Sequence, residues 1–262
     1  MSTNSAARIQ ALDELLTSIA RDFAPAVLAS SLSAEDMVLT DAILDAGLSI
    51  EILTLDTGRL HADTREVVGA IARRYGHAIT VVEPDPAAVA DYASRHGTNA
   101  IYESADLRKR CCAVRKVEPL ARALRGKRAW LTGLRRDQAV TRDTLAVRAY
   151  DPSFGIEKFS PLADWTEDDV WAYLRARQVP YNRLHDQGYR SIGCAPCTRP
   201  TFAGEDVRAG RWWWEQPESK ECGLHLGPGH RLVRRNEEAT VIGIVDAGRS
   251  SSRRASWLHR GE

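Results

Sequence analysis

The sequence is poor in everything that marks a membrane, secreted or nucleic-acid-binding chain. No run of residues approaches the roughly 18 apolar positions needed to span a bilayer, which excludes insertion. The formal charge is +1, from 36 basic and 35 acidic residues, so no global field draws the chain to nucleic acid or an acidic membrane. Residues Met1 to Arg8 lack the basic-then-apolar layout of a secretory signal, and a cytoplasmic location is expected. Neither G-x-x-x-x-G-K-S/T nor G-x-G-x-x-G occurs, which argues against a P-loop NTPase and a dinucleotide dehydrogenase. There is no internal repeat. What is present is 262 residues, 44% apolar and 27% charged, the balance of one large domain that buries a core without staples.

Cysteine is scarce, and its count of five is odd. Cytosolic thiols stay reduced, so a disulfide framework is not expected. The spacing sorts the five into an adjacent pair, Cys111-Cys112, a C-x-x-C pair, Cys194 and Cys197, and the single Cys222. Four plus one suggests a four-thiolate metal site and one free thiol. Zinc draws on cysteines a few residues apart at about 2.3 Å, and adjacent cysteines meet one small ion only under strain. An iron–sulfur cluster relieves this, because each cysteine can take a different iron. Zinc, and four ordinary buried thiols, remain open on spacing alone.

Periodicity predicts alternating helices and strands. Ile9, Leu12, Leu15, Leu16 and Ile19 mark an amphipathic helix over 6–22. Strands are predicted at 26–30, 50–55, 78–82 and 129–132, with helices over 35–44, 62–75 and 111–124 between them. Strands joined by crossover helices imply a mostly parallel sheet covered on both faces. Thr166, followed by Glu167-Asp168-Asp169, reads as an N-cap with acids in the first turn. Beyond Pro180 the chain turns loop-rich, no clear period covers 238–246, and the basic, Ser-rich residues 249–262 read as a mobile tail.

In such a sheet, ligands sit at the carboxyl ends of strands. Three ends carry polar sequence: Ser31 to Asp36, which opens a helix and so favours an anion; Leu55 to Leu60; and Gly133 to Gln138 with Arg142. Arginine suits bidentate phosphate or sulfate recognition, so a nucleotide with an anionic tail is expected. Cys222 stands in Lys220-Glu221-Cys222-Gly223-Leu224-His225, after Trp212-Trp213-Trp214. Lys220, His225 and Arg211 are neighbours able to lower a thiol pKa, which makes Cys222 either a nucleophile or a thiol with incidental basic neighbours. Three successive tryptophans cannot share one helical stripe, so one faces a surface or groove.

Together, Cys111-Cys112, Cys194-x-x-Cys197 and Lys220 to His225 closely resemble the assimilatory adenylyl-sulfate (APS) reductases of bacteria and plants. The resemblance runs from about Leu28 to His225. The related PAPS reductases have the terminal cysteine but not the other four, so it points to the iron–sulfur, APS-preferring branch. It implies a Rossmann-like fold of the adenine nucleotide alpha-hydrolase type, one domain over 1–246 with a catalytic segment at about 205–230, and a tail over 247–262. It makes Cys111, Cys112, Cys194 and Cys197 ligands of a 4Fe-4S cluster, Lys116 a link between cluster and substrate, and Cys222 the nucleophile with His225 beside it. Ser31, Ser33, Thr57, Arg59, Gly133, Arg142, Arg208 and Arg211 sit where the family contacts APS, and the backbone at Leu55 and near Leu134 where it holds adenosine.

The resemblance further implies reduction of APS to sulfite and AMP in sulfate assimilation toward cysteine. Thioredoxin or glutaredoxin would be the donor, and homo-oligomers are common in the family. Many members read G-x-R-x-D-Q-S-P-G-T-R, whereas residues 133–142 lack Ser-Pro-Gly and are one residue shorter, nearer to the PAPS branch. A PAPS or dual-specificity reductase, a nucleotidyltransferase of the same superfamily, an iron–sulfur redox sensor and a zinc-stabilised binding module are the rivals. The nucleotidyltransferase needs an S-G-G-K-D-S-like loop, and Ser31 to Asp36 is not one.

Overall fold

The first strand, β1 (Ala26–Ser30), is buried along almost its whole length, as a strand with helices on both faces must be. In the computed structural model, which describes residues 3–139 and 142–215, β1 is a central strand of a six-stranded sheet. Helix α1 (Thr3–Asp22) precedes it and buries Leu12, Leu16 and Ile19. Helix α2 (Ala34–Asp45) leads to β2 (Ile50–Leu55), and α3 (Ala62–Tyr75) to β3 (Thr80–Val82). The chain then passes through α4 (Pro86–His96), α5 (Ala105–Cys112), a π turn (Ala113–Val117) and α6 (Glu118–Ala123) into β4 (Ala129–Leu131). A hairpin of β5 (Arg148–Asp151) and β6 (Ile156–Phe159) and the helix α7 (Glu167–Ala176) follow.

The strand order is β3-β2-β1-β4-β6-β5, with every neighbouring pair parallel except β5 and β6. The chain winds outward from β1 to β3 and then returns to place β4 on the other side of β1. That reversal makes the carboxyl ends of β1 and β4 a topological switch point, where a crevice opens by construction. α2 is buried on nearly every face, and α7 packs on it. Thr166 caps α7 as its sequence predicts: its hydroxyl accepts from Asp169 N–H, and Asp169 accepts from Thr166 N–H.

The predicted strands and helices up to residue 132 are present, and α3 matches its expected bounds. α4 and the β5–β6 hairpin lie outside the expected elements. Cys222, His225, residues 238–246, the boundary at 246 and the tail lie outside the described residues.

Candidate active site

Two adjoining cavities lie at the carboxyl end of the sheet. The first gathers all four paired cysteines. Cys111 and Cys112 end α5, and the π turn directly after them carries Arg115 and Lys116. Such turns often mark functional sites. Cys194 and Cys197 bracket a single 3-10 turn, in which Cys197 N–H donates to Cys194 O at 2.9 Å. The loop after β2 holds this turn in place: Ala195 N–H donates to Arg59 O at 2.8 Å, and Thr57 Oγ1 lies 3.2 Å from Cys194 Sγ. All four cysteines are buried, unbridged, and line one cavity with Ile101, Trp212, Arg59, Arg108, Arg115 and Lys116.

The surroundings of these sulfurs are cationic. Burial raises the Cys111 thiol pKa against the pull of Arg115. Cys194 is lowered overall: burial opposes ionisation, but Lys116 and the Thr57 bond outweigh it. Cys197 is pushed up to about 11 by burial and by the Cys194 sulfur. Burial thus favours the neutral thiol at Cys111 and Cys197, whereas a metal centre would require all four sulfurs deprotonated. Among the described residues no three acidic, histidine or cysteine side chains converge on one point to chelate a single ion.

The second cavity, about 190 Å3, is the crevice at the switch point. Ser31 and Ser33 from the β1 loop, Thr57 from the β2 loop, Gly133 and Arg142 beyond β4, Arg208 and Arg211 from the late loops, and Lys116 all line it. Lys116 and Trp212 line both cavities. Arg59 lines the cysteine cavity instead, donating to Thr98 O at 2.8 Å and Asn99 Oδ1 at 2.9 Å. Leu55 and Leu134 also line the crevice. Although the loop is short, Arg142 reaches the crevice, where it bonds Gln138. Arg211 is mostly buried, donating to Ile192 O at 2.9 Å. Gly193 makes room for it, since a Cβ there would lie 2.6 Å from its guanidinium.

Three residues that sequence reasoning did not single out organise the crevice. Asp36 is buried and accepts from Ser31 N–H and Oγ at 2.6 Å and from Gly133 N–H at 2.8 Å. It thus fastens the β1 loop to the β4 loop. Burial raises its carboxyl pKa to about 6, although the Ser31 bonds pull the other way. Glu35 accepts from buried Arg135 at 3.0 Å and from Gln138 at 2.9 Å, which orients the loop holding Arg142. His185 Nε2 accepts from Ala34 N–H at 3.3 Å, at the start of α2. Burial lowers the His185 pKa, which keeps the ring a neutral acceptor. The first amide of α2 is therefore already bonded, and the hydroxyl loop and arginines line the crevice beside it.

The sheet order, with its crevice at the β1–β4 reversal, defines an α/β protein of the adenine nucleotide alpha-hydrolase-like class. Residues 25–200 match the phosphoadenosine phosphosulfate reductase domain. The chain belongs to that family. It is 57% identical over 212 residues to the adenosine 5'-phosphosulfate reductase of Allochromatium vinosum, covering 81% of this chain and 83% of that protein. The protein of the same name from Burkholderia cepacia is 55% identical over 221 residues, covering 84% and 88%. Among solved structures, the phosphoadenylyl-sulfate (PAPS) reductase of Candida auris in complex with phosphate superposes with a TM-score of 0.61. It shares 28% identity, covering 74% of this chain and 96% of that one. Yeast FAD synthetase in complex with FAD, at 15% identity and a TM-score of 0.53 over 76% of this chain and 69% of that one, shares the fold. Among the described residues no helix is long and apolar enough to cross a membrane.

Proposed function

We propose that this chain reduces adenylyl sulfate to sulfite and AMP, with Cys222 as the nucleophile and thioredoxin or glutaredoxin as the donor, in the cytoplasm. The observation that carries the reading is the shared wall of the two cavities. Lys116 faces both an arginine-lined crevice fit for a nucleotide anion and a buried four-cysteine site. The names of the relatives support the same substrate.

In this reading the Cys222 thiolate attacks the sulfur of the sulfuryl group. The bond from that sulfur to the phosphate oxygen breaks, and AMP leaves with the electron pair. Cys222 then carries an S-sulfonate, a covalent intermediate that divides a hard reduction into two exchanges. A donor thiolate attacks the Cys222 sulfur, releases sulfite and forms a mixed disulfide, which the donor's second thiol resolves. The two electrons come from the donor dithiol. Arg142, Arg208, Arg211 and Lys116 offset the phosphate and sulfate charge that would repel the incoming thiolate. Thr57 and Ser31 place hydroxyls at the strand ends, and Asp36 holds Ser31 in its turn.

Cys111, Cys112, Cys194 and Cys197 would hold a 4Fe-4S cluster. The donor chemistry suits it: four buried sulfurs, cations on the cavity wall, and a buried Trp212 Nε1–H with no hydrogen-bond partner on that wall. When bound, the cluster supplies a charged, cross-linking body beside Lys116, while thiol exchange accounts for both electrons.

Incubation with sulfur-labelled APS tests the reading. Label should stay on the wild-type protein until reduced thioredoxin is added and then leave as sulfite, and Cys222→Ser should take up none. Label trapped by Cys222→Ser would overturn the assignment. The short 133–142 loop favours a second reading, turnover of PAPS as well, and relative rates on the two nucleotides decide it.

A further inference from the structure

The crevice wall carries a cation that the reaction above does not use. Arg190 lines it beside Ser191, Ile192 and Gly193, on the stretch that leads into Cys194. The backbone here is held on both sides. Tyr189 N–H donates to Leu184 O at 3.0 Å, and the Tyr189 ring meets that of His61 edge-on, with centroids 5.3 Å apart. On the other side, Ile192 O accepts from Arg211 at 2.9 Å, and Cys194 pairs with Leu60 in an antiparallel bridge. With its backbone fixed in this way, the long Arg190 side chain is the part left to move.

Its guanidinium rests on an acid. Arg190 Nη2 donates to Glu167 Oε2 at 2.6 Å, and the two side chains are 40% and 36% exposed. An ion pair this open to water contributes at most about 1 kcal/mol, so exchange for another anion costs little. Glu167 keeps a second source of stabilisation when it loses the pair, because it stands in the first turn of α7, at the positive end of the helix dipole. Asp206 is the other acid within electrostatic reach of Arg190. The nearby helix start is closed to an anion. His185 bonds the Tyr189 backbone, and its Nε2 takes the first amide of α2, at Ala34. The segment that caps α2 therefore runs straight into Arg190, which supplies positive charge where the helix no longer offers an N–H.

We propose that Arg190 is a further anion-binding residue of the crevice: on binding it leaves Glu167 and pairs with a phosphate of the nucleotide, either the 5' phosphate or a second phosphate on the ribose. A planar guanidinium fork matches two oxygens of either group. Glu167 holds the cation while the crevice is empty and lowers nucleotide affinity by the strength of their pair. The proposal rests on the reading of the crevice as a nucleotide site.

The test uses full-length protein purified anaerobically, with iron assayed, as wild type, Arg190→Gln, Glu167→Gln and the double variant. Calorimetry reads the dissociation constants of adenosine, AMP and adenosine 3',5'-bisphosphate. Arg190→Gln should weaken the bisphosphate about 10-fold and leave adenosine within about 2-fold of wild type, the scale of one charged hydrogen-bonded contact. An equal loss for AMP assigns Arg190 to the 5' phosphate, and unchanged AMP assigns it to the ribose phosphate. Glu167→Gln should tighten the same ligands about 3-fold, as release of an exposed pair implies. In the Arg190→Gln background it should change nothing, the non-additivity of groups in contact.

Wild-type affinity of Arg190→Gln for both phosphorylated ligands would overturn the proposal, and so would an equal loss for adenosine, which carries no anion. Tightening by Glu167→Gln that persists without Arg190 would also overturn it, because the acid would then act on the ligand directly. Wild-type protein that binds AMP but forms no sulfite from APS refutes the reductase reading and leaves the affinities to decide Arg190. Wild-type protein that binds none of the three refutes the crevice as a nucleotide site, and the proposal with it.

Discussion

A single acid, Asp36, fastens together two of the loops that line the crevice. Its carboxylate satisfies Ser31 N–H, Ser31 Oγ and Gly133 N–H, and a Cβ on Gly133 would lie 2.5 Å from its Oδ1. The sequence marks Ser31 to Asp36 as a polar loop. It does not reveal that Gly133, 97 positions away, returns beside it, because that contact exists only once β4 lies next to β1. The raised pKa sets a sign for stability. A carboxyl that titrates near 6 when folded, against about 3.9 unfolded, binds its proton more tightly in the native state. Its stabilising contribution is complete below pH 4 and is lost as pH rises through 6, a change of about 3 kcal/mol. In Asp36→Asn that segment of the urea-derived stability profile should flatten, and an unchanged slope between pH 4 and 7 would refute it. At Gly193 the close approach to Arg211 makes another expectation. Gly193→Ala should push the guanidinium off Ile192 O and raise the KM for APS by about 10-fold or more, with kcat changed less, as loss of a charged ligand contact implies. An unaltered KM would mean that Arg211 does not touch the substrate.

At the scale of elements, the sequence was legible where burial is regular and illegible where it is not. β1, β2 and α3 announce themselves through continuous or amphipathic apolar patterns. β5 escapes because three of its four residues are exposed, so no alternation survives to be read. α4 escapes differently: it buries only Tyr92, and its signal was the N-cap Asp85 with Pro86 at the first helical position, a start mark rather than a period. The helix predicted from Cys111 begins instead at Ala105, behind the cap Ser104, and contains a π turn that no propensity reports. That turn widens the helix at the point where Arg115 must reach Thr57 O, at 2.7 Å, and Lys116 must reach Cys194. A π turn is one residue more than an α-helical path needs. Deleting Val114 should restore regular helix and turn Lys116 away from both cavities. Helical content by circular dichroism should hold, while iron content and turnover fall together by about 10-fold or more, the scale of losing partners around a metal site. Normal iron content in the deletion variant would show the turn to be incidental.

At the scale of the whole molecule, a charge balance near zero coexists with a cationic site because the acids lie elsewhere or are already bonded. Arg177 and two tyrosines, Tyr75 and Tyr173, converge on buried Asp41, which knits α2, α3 and α7 together well away from the cysteines. The apolar packing divides along the same line. The main core runs from Leu12 and Leu28 through Ile52 to Tyr173, and a separate cluster joins Tyr92, Ile101, Cys111, Cys194, Cys197 and Trp212. The second cluster is small, and three of its members are sulfurs proposed as metal ligands, so its cohesion depends on what those sulfurs hold. The sheet and α2 have no such dependence. Removing iron with a chelator under anaerobic conditions should therefore unfold the molecule in part. Hydrogen exchange followed by mass spectrometry should accelerate by about 10-fold or more across residues 98–117 and 190–215, as for a local unit released from its anchor. Protection over β1, β2 and α2 should stay within a factor of about 2 of the iron-loaded protein. Uniform acceleration would mean that the two regions form one cooperative unit, and no acceleration would mean that the four cysteines hold the cluster of side chains together without a metal.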